Sequence, residues 1–179
     1  MATTTTKLMT FAEFEQLPNP PGHRYELHHG VLVIVPFPQF PHVRAQWQLR
    51  RLLESAAGNA GVVDKEMPYR PLPEREGWCA DVAYIPKERW DSINRYLMGA
   101  PDLVVEILSP SNTAAEMLDK RNICLENGSR EFWVVDTDHR QVEVSTPDGH
   151  TITYRCGQEI PLFFGGNLAV ASIFTTAEG

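Results

Sequence analysis

Apolar residues cluster, alternate or recur at helical spacing in separate stretches of this chain, and each pattern predicts an element. Two apolar runs, residues 78–85 and 103–108, are rich in Val, Ile, Leu and Ala. Such runs predict strands covered on both faces of a sheet. One acidic residue interrupts each run, Asp81 in the first and Glu106 in the second. Residues 131–136, Glu-Phe-Trp-Val-Val-Asp, predict a third buried strand. Residues 140–145 alternate as a half-exposed strand does, and Pro147-Asp148-Gly149 turns the chain into a partner over 151–155.

Helical spacing appears in three places. Thr10 and Glu13 have the spacing of a capping box, which predicts a short helix to about Leu17, stopped by the prolines of 18–21. Pro41 is placed to open a longer helix with Ala45, Leu49, Leu52, Leu53 and Ala56 on its core face. Arg44, Gln48 and Arg51 line the opposite side of that helix, which ends at 58–61. Thr113 and Glu116 form a second capping box, opening a helix to about Glu126 with Lys120 leaning along the same side as Cys124. Residues 24–35 read as a hairpin turning at His28-His29-Gly30, with Glu26 facing away from Tyr25 and Leu27, toward solvent or toward a site. Residues 62–72 read as a broken strand, 86–98 as a partly helical connection, and 168–174 as a segment that closes the core. This mixed order predicts an α/β (α+β) fold with a central mixed β-sheet flanked by helices.

Composition narrows the picture. The chain has 179 residues, 42% of them hydrophobic, enough for one domain over 1–179 with 1–9 as a frayed N-terminus. No apolar run approaches the roughly 18 residues of a membrane span, and no signal peptide is expected. Three cysteines without a Cys-x-x-Cys pair predict free thiols in a cytoplasmic protein, not a disulfide scaffold or a zinc site. A net charge of −7 argues against a passive, basic nucleic-acid binder, but metal-dependent sites collect carboxylates of their own.

The candidate chemistry starts from Glu106. An unpaired buried carboxylate costs several kcal/mol, roughly, so it requires a metal ion, a lysine or a hydrogen-bond network. If the two interrupted strands are neighbours, Asp81 and Glu106 can meet on one face and hold Mg²⁺ (or Mn²⁺) through oxygen ligands. Such an ion activates water and stabilises charge on a phosphoryl group, and a nearby lysine would complete the set. PD-(D/E)XK nucleases place that lysine two residues after the glutamate, on the same strand face. Leu108 occupies that position here, so the plain motif fails. His28 and His29, adjacent on an extended chain, point to opposite faces and make a poor metal pair.

The order of landmarks is more specific. Arg24-Tyr25-Glu26-Leu27 with Gly30, then Asp81-Val82, then Pro101-Asp102 through Glu106-Ile107-Leu108-Ser109-Pro110-Ser111 follow one another. Glu116, Lys120, Gly128 and Glu131 through Asp136 complete the series. In these landmarks the chain resembles the Uma-type family of putative restriction endonucleases, assigned to the PD-(D/E)XK superfamily. The resemblance implies a restriction-endonuclease-like core and Mg²⁺-dependent hydrolysis of DNA, with no organic cofactor. It implies Asp81 and Glu106 as metal ligands, the Ile107 backbone carbonyl as a third, and Glu26 as an acidic position near the ion. In the family the lysine has moved to the following helix, which implies Lys120 as the catalytic ammonium. The chain departs from the family at Cys79-Ala80, where Arg-Pro is common, and at Cys124, where Tyr is common. Apolar strands at a sheet edge would favour a homodimer. Arg44 and Arg51 are candidate phosphate contacts. The alternatives are a buried ion-pair network without catalysis, or a binding or assembly module that keeps the nuclease fold. A glycosidase with paired carboxylates would leave the lysine and the apolar strands unexplained.

Overall fold

The computed structural model describes residues 8–18, 22–110 and 112–175. Six strands form the central sheet in the order β3-β4-β5-β6-β7-β8. They are β3 (Gly61–Tyr69), β4 (Trp78–Pro86), β5 (Leu103–Ile107), β6 (Glu131–Asp136), β7 (Gln141–Ser145) and β8 (Thr151–Arg155). The β5–β6 pair is parallel and the others are antiparallel, so the sheet is mixed as expected. A helix, α4 (Ala114–Glu126), makes the crossover between the parallel strands. The apolar runs are the inner strands: β5 is buried at every residue, and β4 at every residue except Pro86.

That order removes the sequence argument for a homodimer. The fully apolar strands lie inside the sheet, and its edges are β3 and β8, which carry exposed polar residues.

Two apolar layers sandwich the sheet. On one face α2 (Phe40–Ala57) lays Ala45, Leu49 and Leu53 against Val82, Val105, Ile107 and Trp133. Leu168, Val170 and Ile173 join this layer, so the segment expected to close the core does so. They come from β10 (Asn167–Ala169) and α5 (Val170–Ile173); β10 pairs with β9 (Glu159–Pro161) in a small sheet that the sequence pattern did not predict. On the other face Tyr69, Trp78, Val104 and Phe132 pack with Cys124 of α4 and with Leu97, which lies beyond the short α3 (Lys87–Asp91).

Local signals account for most boundaries. Thr10 and Glu13 close a capping box on α1 (Phe11–Phe14), which ends a turn earlier than expected, and Thr113 and Glu116 cap α4 in the same way. Pro41 sits in the first turn of α2, one residue inside its start. Ala56, expected on the core face, is exposed, and Ala57 is buried in its place; Gln48, expected outside, is buried and donates to the Thr175 carbonyl. The predicted hairpin is present as β1 (Arg24–His28) and β2 (Val31–Val35), turning through His29 and Gly30 at positive φ. Of the segment expected to fray, residues 1–7 lie outside the described residues, as do 19–21 of the proline stop and Ser111. Met9 is tied down, its N–H donating to the Gly30 carbonyl.

Candidate active site

The site forms where the sheet comes apart. Pairing between β4 and β5 runs from Tyr84–Leu103 to Val82–Val105 and stops there. The next residues on the two strands are Asp81 and Glu106. On the other side of β4, the β3 ladder breaks opposite Asp81, because Glu66 turns to φ +54 and drops out of the register. A non-glycine residue in that conformation is uncommon and marks local strain. Asp81 has therefore lost ladder partners on both sides, and other groups replace them. Its Oδ2 accepts the Ile107 N–H at 2.7 Å, and its backbone carbonyl accepts Nε2–H of Gln46 at 2.9 Å. His42 Nε2 lies 3.1 Å from Oδ1. Leu108 N–H bonds to β6, so alternation turns both polar groups of Ile107 toward β4. The Ile107 carbonyl thus opens into the gap beside Asp81.

Glu106 is held from α4. Lys120 Nζ stands 2.8 Å from Glu106 Oε1, and both residues are buried, each 7% exposed. Lys120 also approaches the Cys79 carbonyl at 3.5 Å and lies over the Trp78 ring, 5.8 Å from its centroid. Burial opposes the lysine charge, but the carboxylates of Glu106, Glu26 and Asp81 outweigh it and hold the ammonium above its ordinary range. For Glu106 burial dominates: it pushes the carboxyl up, Lys120 pulls it back, and Asp81 adds to the rise.

Glu26, for which the sequence left a solvent-facing and a site-facing position open, is buried, because β1 lies over the open end of β4. It bonds Arg24 Nη2 at 2.9 Å and His28 Nε2 at 2.8 Å. Its burial disfavours the charge, yet Lys120, His28 and Arg24 hold its carboxyl below the usual range. The Arg24 guanidinium also pairs with Glu66. The buried Tyr69 hydroxyl and Cys124 thiol, 3.3 Å apart, floor the site, and burial pushes both upward so that they stay protonated at neutral pH.

The fold thus brings Asp81, Glu106, Ile107, Lys120 and Glu26 to one locus. It does not bring Arg44 and Arg51 there. His42 and Gln46 face Asp81 from α2, whereas Arg44 and Arg51 stand roughly half a helical turn away on the outer face. There Arg44 covers Phe40 and Arg51 covers Trp47. His28 and His29 diverge as their positions imply, His28 to Glu26 and His29 to Glu76 and Asp119. Asp102 and Asp136 serve local structure, pairing with Arg89 and capping a turn at His139. Among the described residues no three His, Cys, Asp or Glu side chains converge as a ready-made metal cage. None of the helices there is long and apolar enough to cross a membrane, and all three thiols are free. Sequence reasoning missed Gln46, Glu66 and Glu76. Gln46 carried a signal, since it falls on the apolar stripe of α2; the two glutamates did not.

Comparison with known proteins agrees with this architecture. A crystal structure of a "putative nuclease belonging to DUF820" from Anabaena variabilis superposes with a TM-score of 0.80. It shares 21% sequence identity, and the match covers 93% of this chain and 97% of that one. At that identity the likeness establishes the fold. No curated protein matches the chain. The family model described as "Putative restriction endonuclease" matches residues 11–168, from the first helix to β10. On that match over most of its length, the chain belongs to the Uma2 family.

Proposed function

We propose that the protein is a divalent-metal-dependent nuclease that hydrolyses DNA phosphodiester bonds at the open end of β4 and β5. The observation that carries this reading is the 2.8 Å pair between Lys120 and Glu106, which brings the helix-borne lysine to the strand glutamate beside Asp81. Family membership and the nuclease-like fold support it.

The donor set suits a hard cation. Two carboxylates and a backbone carbonyl are all oxygen ligands, and Mg²⁺ commonly keeps several waters and takes few protein ligands. Carboxylates outnumber the single buried ammonium at this locus. Asp81, Glu106 and the Ile107 carbonyl would hold Mg²⁺ or Mn²⁺, with Glu26 adding negative charge behind them. An ion there would acidify a water and neutralise charge on the phosphoryl group.

The chain's own residues supply the rest. The carboxylates hold Lys120 protonated, so it acts as a fixed positive charge toward the developing phosphorane and not as the general base. The Ile107 amide and Gln46 fix Asp81 before substrate arrives, which removes reorganisation from the reaction. Arg44 and Arg51 have no carboxylate partner among the described residues and offer phosphate contacts on an outer flank. The buried thiols fit a reducing cytoplasm.

The test is cleavage of supercoiled plasmid with Mg²⁺ or Mn²⁺, with and without chelator. Asp81→Asn and Lys120→Ala should each slow cleavage by about 100-fold or more. Cleavage that persists in chelator, or in both variants, would sink the mechanism.

A further inference from the structure

Helix α4 carries Lys120 but is lightly anchored: of its 13 residues only Lys120 and Cys124 are buried. A second tie comes from the hairpin. His29, in the turn between β1 and β2, donates its backbone N–H to both oxygens of Glu76 at 3.0 and 2.9 Å. Its ring spans the gap to α4, with Nδ1 3.1 Å from Glu76 Oε1 and Nε2 2.7 Å from Asp119 Oδ2. Glu76 is only 2% exposed and also accepts Nε1–H of Trp78 at 2.8 Å. Trp78 in turn stacks on His28 and underlies Lys120. The chain of contacts therefore ends on Asp119, the residue before Lys120. An imidazole between two carboxylates donates to both only as the imidazolium; the neutral ring has one N–H and meets the other carboxylate with a lone pair.

We propose that Glu76, His29 and Asp119 are positioning residues, a latch that ties the hairpin to α4 and sets where the Lys120 ammonium stands. The catalytic consequence rests on the reading of Lys120 given above; the mechanical one does not. The charged groups facing His29 are Glu76 from the turn before β4 and Asp119 from α4. Their hydrogen bonds and charges, that of Asp119 foremost, raise the imidazole above its ordinary value against a smaller effect of burial. The latch is accordingly closed while the ring is protonated and opens as pH rises through that raised value.

Two variants of the full chain test this. His29→Asn removes the ring while tolerating the positive φ of 51. Asp119→Asn removes one carboxylate at an exposed position. Hydrogen exchange followed by mass spectrometry should show the amides of the first half of α4 exchanging about fivefold faster in His29→Asn, with its last turn unchanged. With Mn²⁺ and plasmid, kcat should fall about fivefold at constant KM, and the alkaline limb expected of the parent's kcat should be absent. In Asp119→Asn the NMR titration of His29 and that limb should move to lower pH together. Unchanged α4 exchange in both variants, or an alkaline limb that survives in His29→Asn, overturns the latch. If no form of the protein cleaves DNA, the nuclease reading fails, and exchange with the titration still decides the latch. Should His29→Asn not fold, Asp119→Asn supplies both readouts.

Discussion

Replacing Lys120 with Met keeps an unbranched apolar stem but deletes the ammonium from a buried site that holds Glu106, Asp81 and Glu26. At 2.8 Å and an effective dielectric of about 20, the attraction to Glu106 alone is about 6 kcal/mol before desolvation. Above the pH at which Glu106 ionises, both groups are charged and already stripped of water, so removing the ammonium strands the carboxylate, at a cost of roughly 3–5 kcal/mol. For a domain of this size that corresponds to a melting temperature lower by roughly 6–20 °C. The pH dependence follows from Glu106, whose carboxyl stands raised to about 8 with Lys120 present, burial being the main cause. A raised carboxyl contributes stability that is complete below the ordinary carboxylate range and lost as pH rises through its folded value. The parent stops losing stability once Glu106 ionises near 8, because Lys120 then balances the charge. The variant has no such balance and must keep the proton. Its deficit should widen by up to about 1.4 kcal/mol per pH unit above that point. Thermal melts followed by circular dichroism near pH 7 and pH 9 read both quantities. A variant melting within about 2 °C of the parent near pH 9, or a deficit that narrows between the two conditions, would refute the argument that these two groups balance one another.

Gly61 opens β3 against Tyr84: a Cβ there would lie 2.4 Å from the Tyr84 ring and 2.5 Å from the Ile85 carbonyl. Gly61→Ala should therefore destabilise the fold by about 2 kcal/mol or more, measured by urea denaturation; a neutral result would mean that the edge of the sheet yields freely. We propose a homodimer on a footing different from the strand edges. Val31, Ile34, Phe37 and Phe40 are all exposed along the segment from β2 into α2, the two phenylalanines at 72% each. Sedimentation velocity at micromolar concentration should show a dimer that Phe37→Ser with Phe40→Ser dissociates, and a parent that sediments as a monomer removes the proposal.

The sequence revealed what local periodicity can carry. A carboxylate within an apolar run contradicts its surroundings, so Asp81 and Glu106 were visible without any structure, and the two capping boxes marked helix starts at Thr10 and Thr113. Spacing from Cys124 put Lys120 on the inner side of its helix, but its role was legible only through family resemblance, because a lysine on a half-exposed helix contradicts nothing. His42 and Gln46 illustrate an intermediate case. They share the helical stripe of Ala45, Leu49 and Leu53, and polar side chains there imply a polar group opposite, but not which one. Glu76 left no trace, since a glutamate in the polar turn of 73–77 looks solvated until the fold buries it under His29 and Trp78. Strand order lay beyond periodicity altogether. A run buried on both faces reads the same at an edge as in the centre, which is why β4 and β5 suggested an interface between copies and proved to be the middle of one sheet.

The position of Asp81 argues that the site is more than a buried ion-pair network. A network whose purpose is stability would sit where the sheet is intact and every backbone group already has a ladder partner. Here the chain gives up pairing on both sides of one residue: Glu66 adopts a strained conformation opposite Asp81, and β5 leaves the register after Val105. The orphaned groups are then served individually, the Asp81 carbonyl by Gln46 and the Ile107 amide by the Asp81 carboxylate. Each substitution costs side-chain freedom that a regular ladder would not require. What it produces is an opening between two strands with carboxylates at its rim, a carbonyl turned into it and an ammonium held charged beside it. Local strain of this kind persists when the surroundings enforce it, and it concentrates at sites that bind or react. The lysine on α4 raises the same requirement once more. Carried by a strand, it would be fixed by the sheet; carried by a helix with two buried residues, it needs the hairpin to hold that helix in place, and the bridge through His29 supplies the hold.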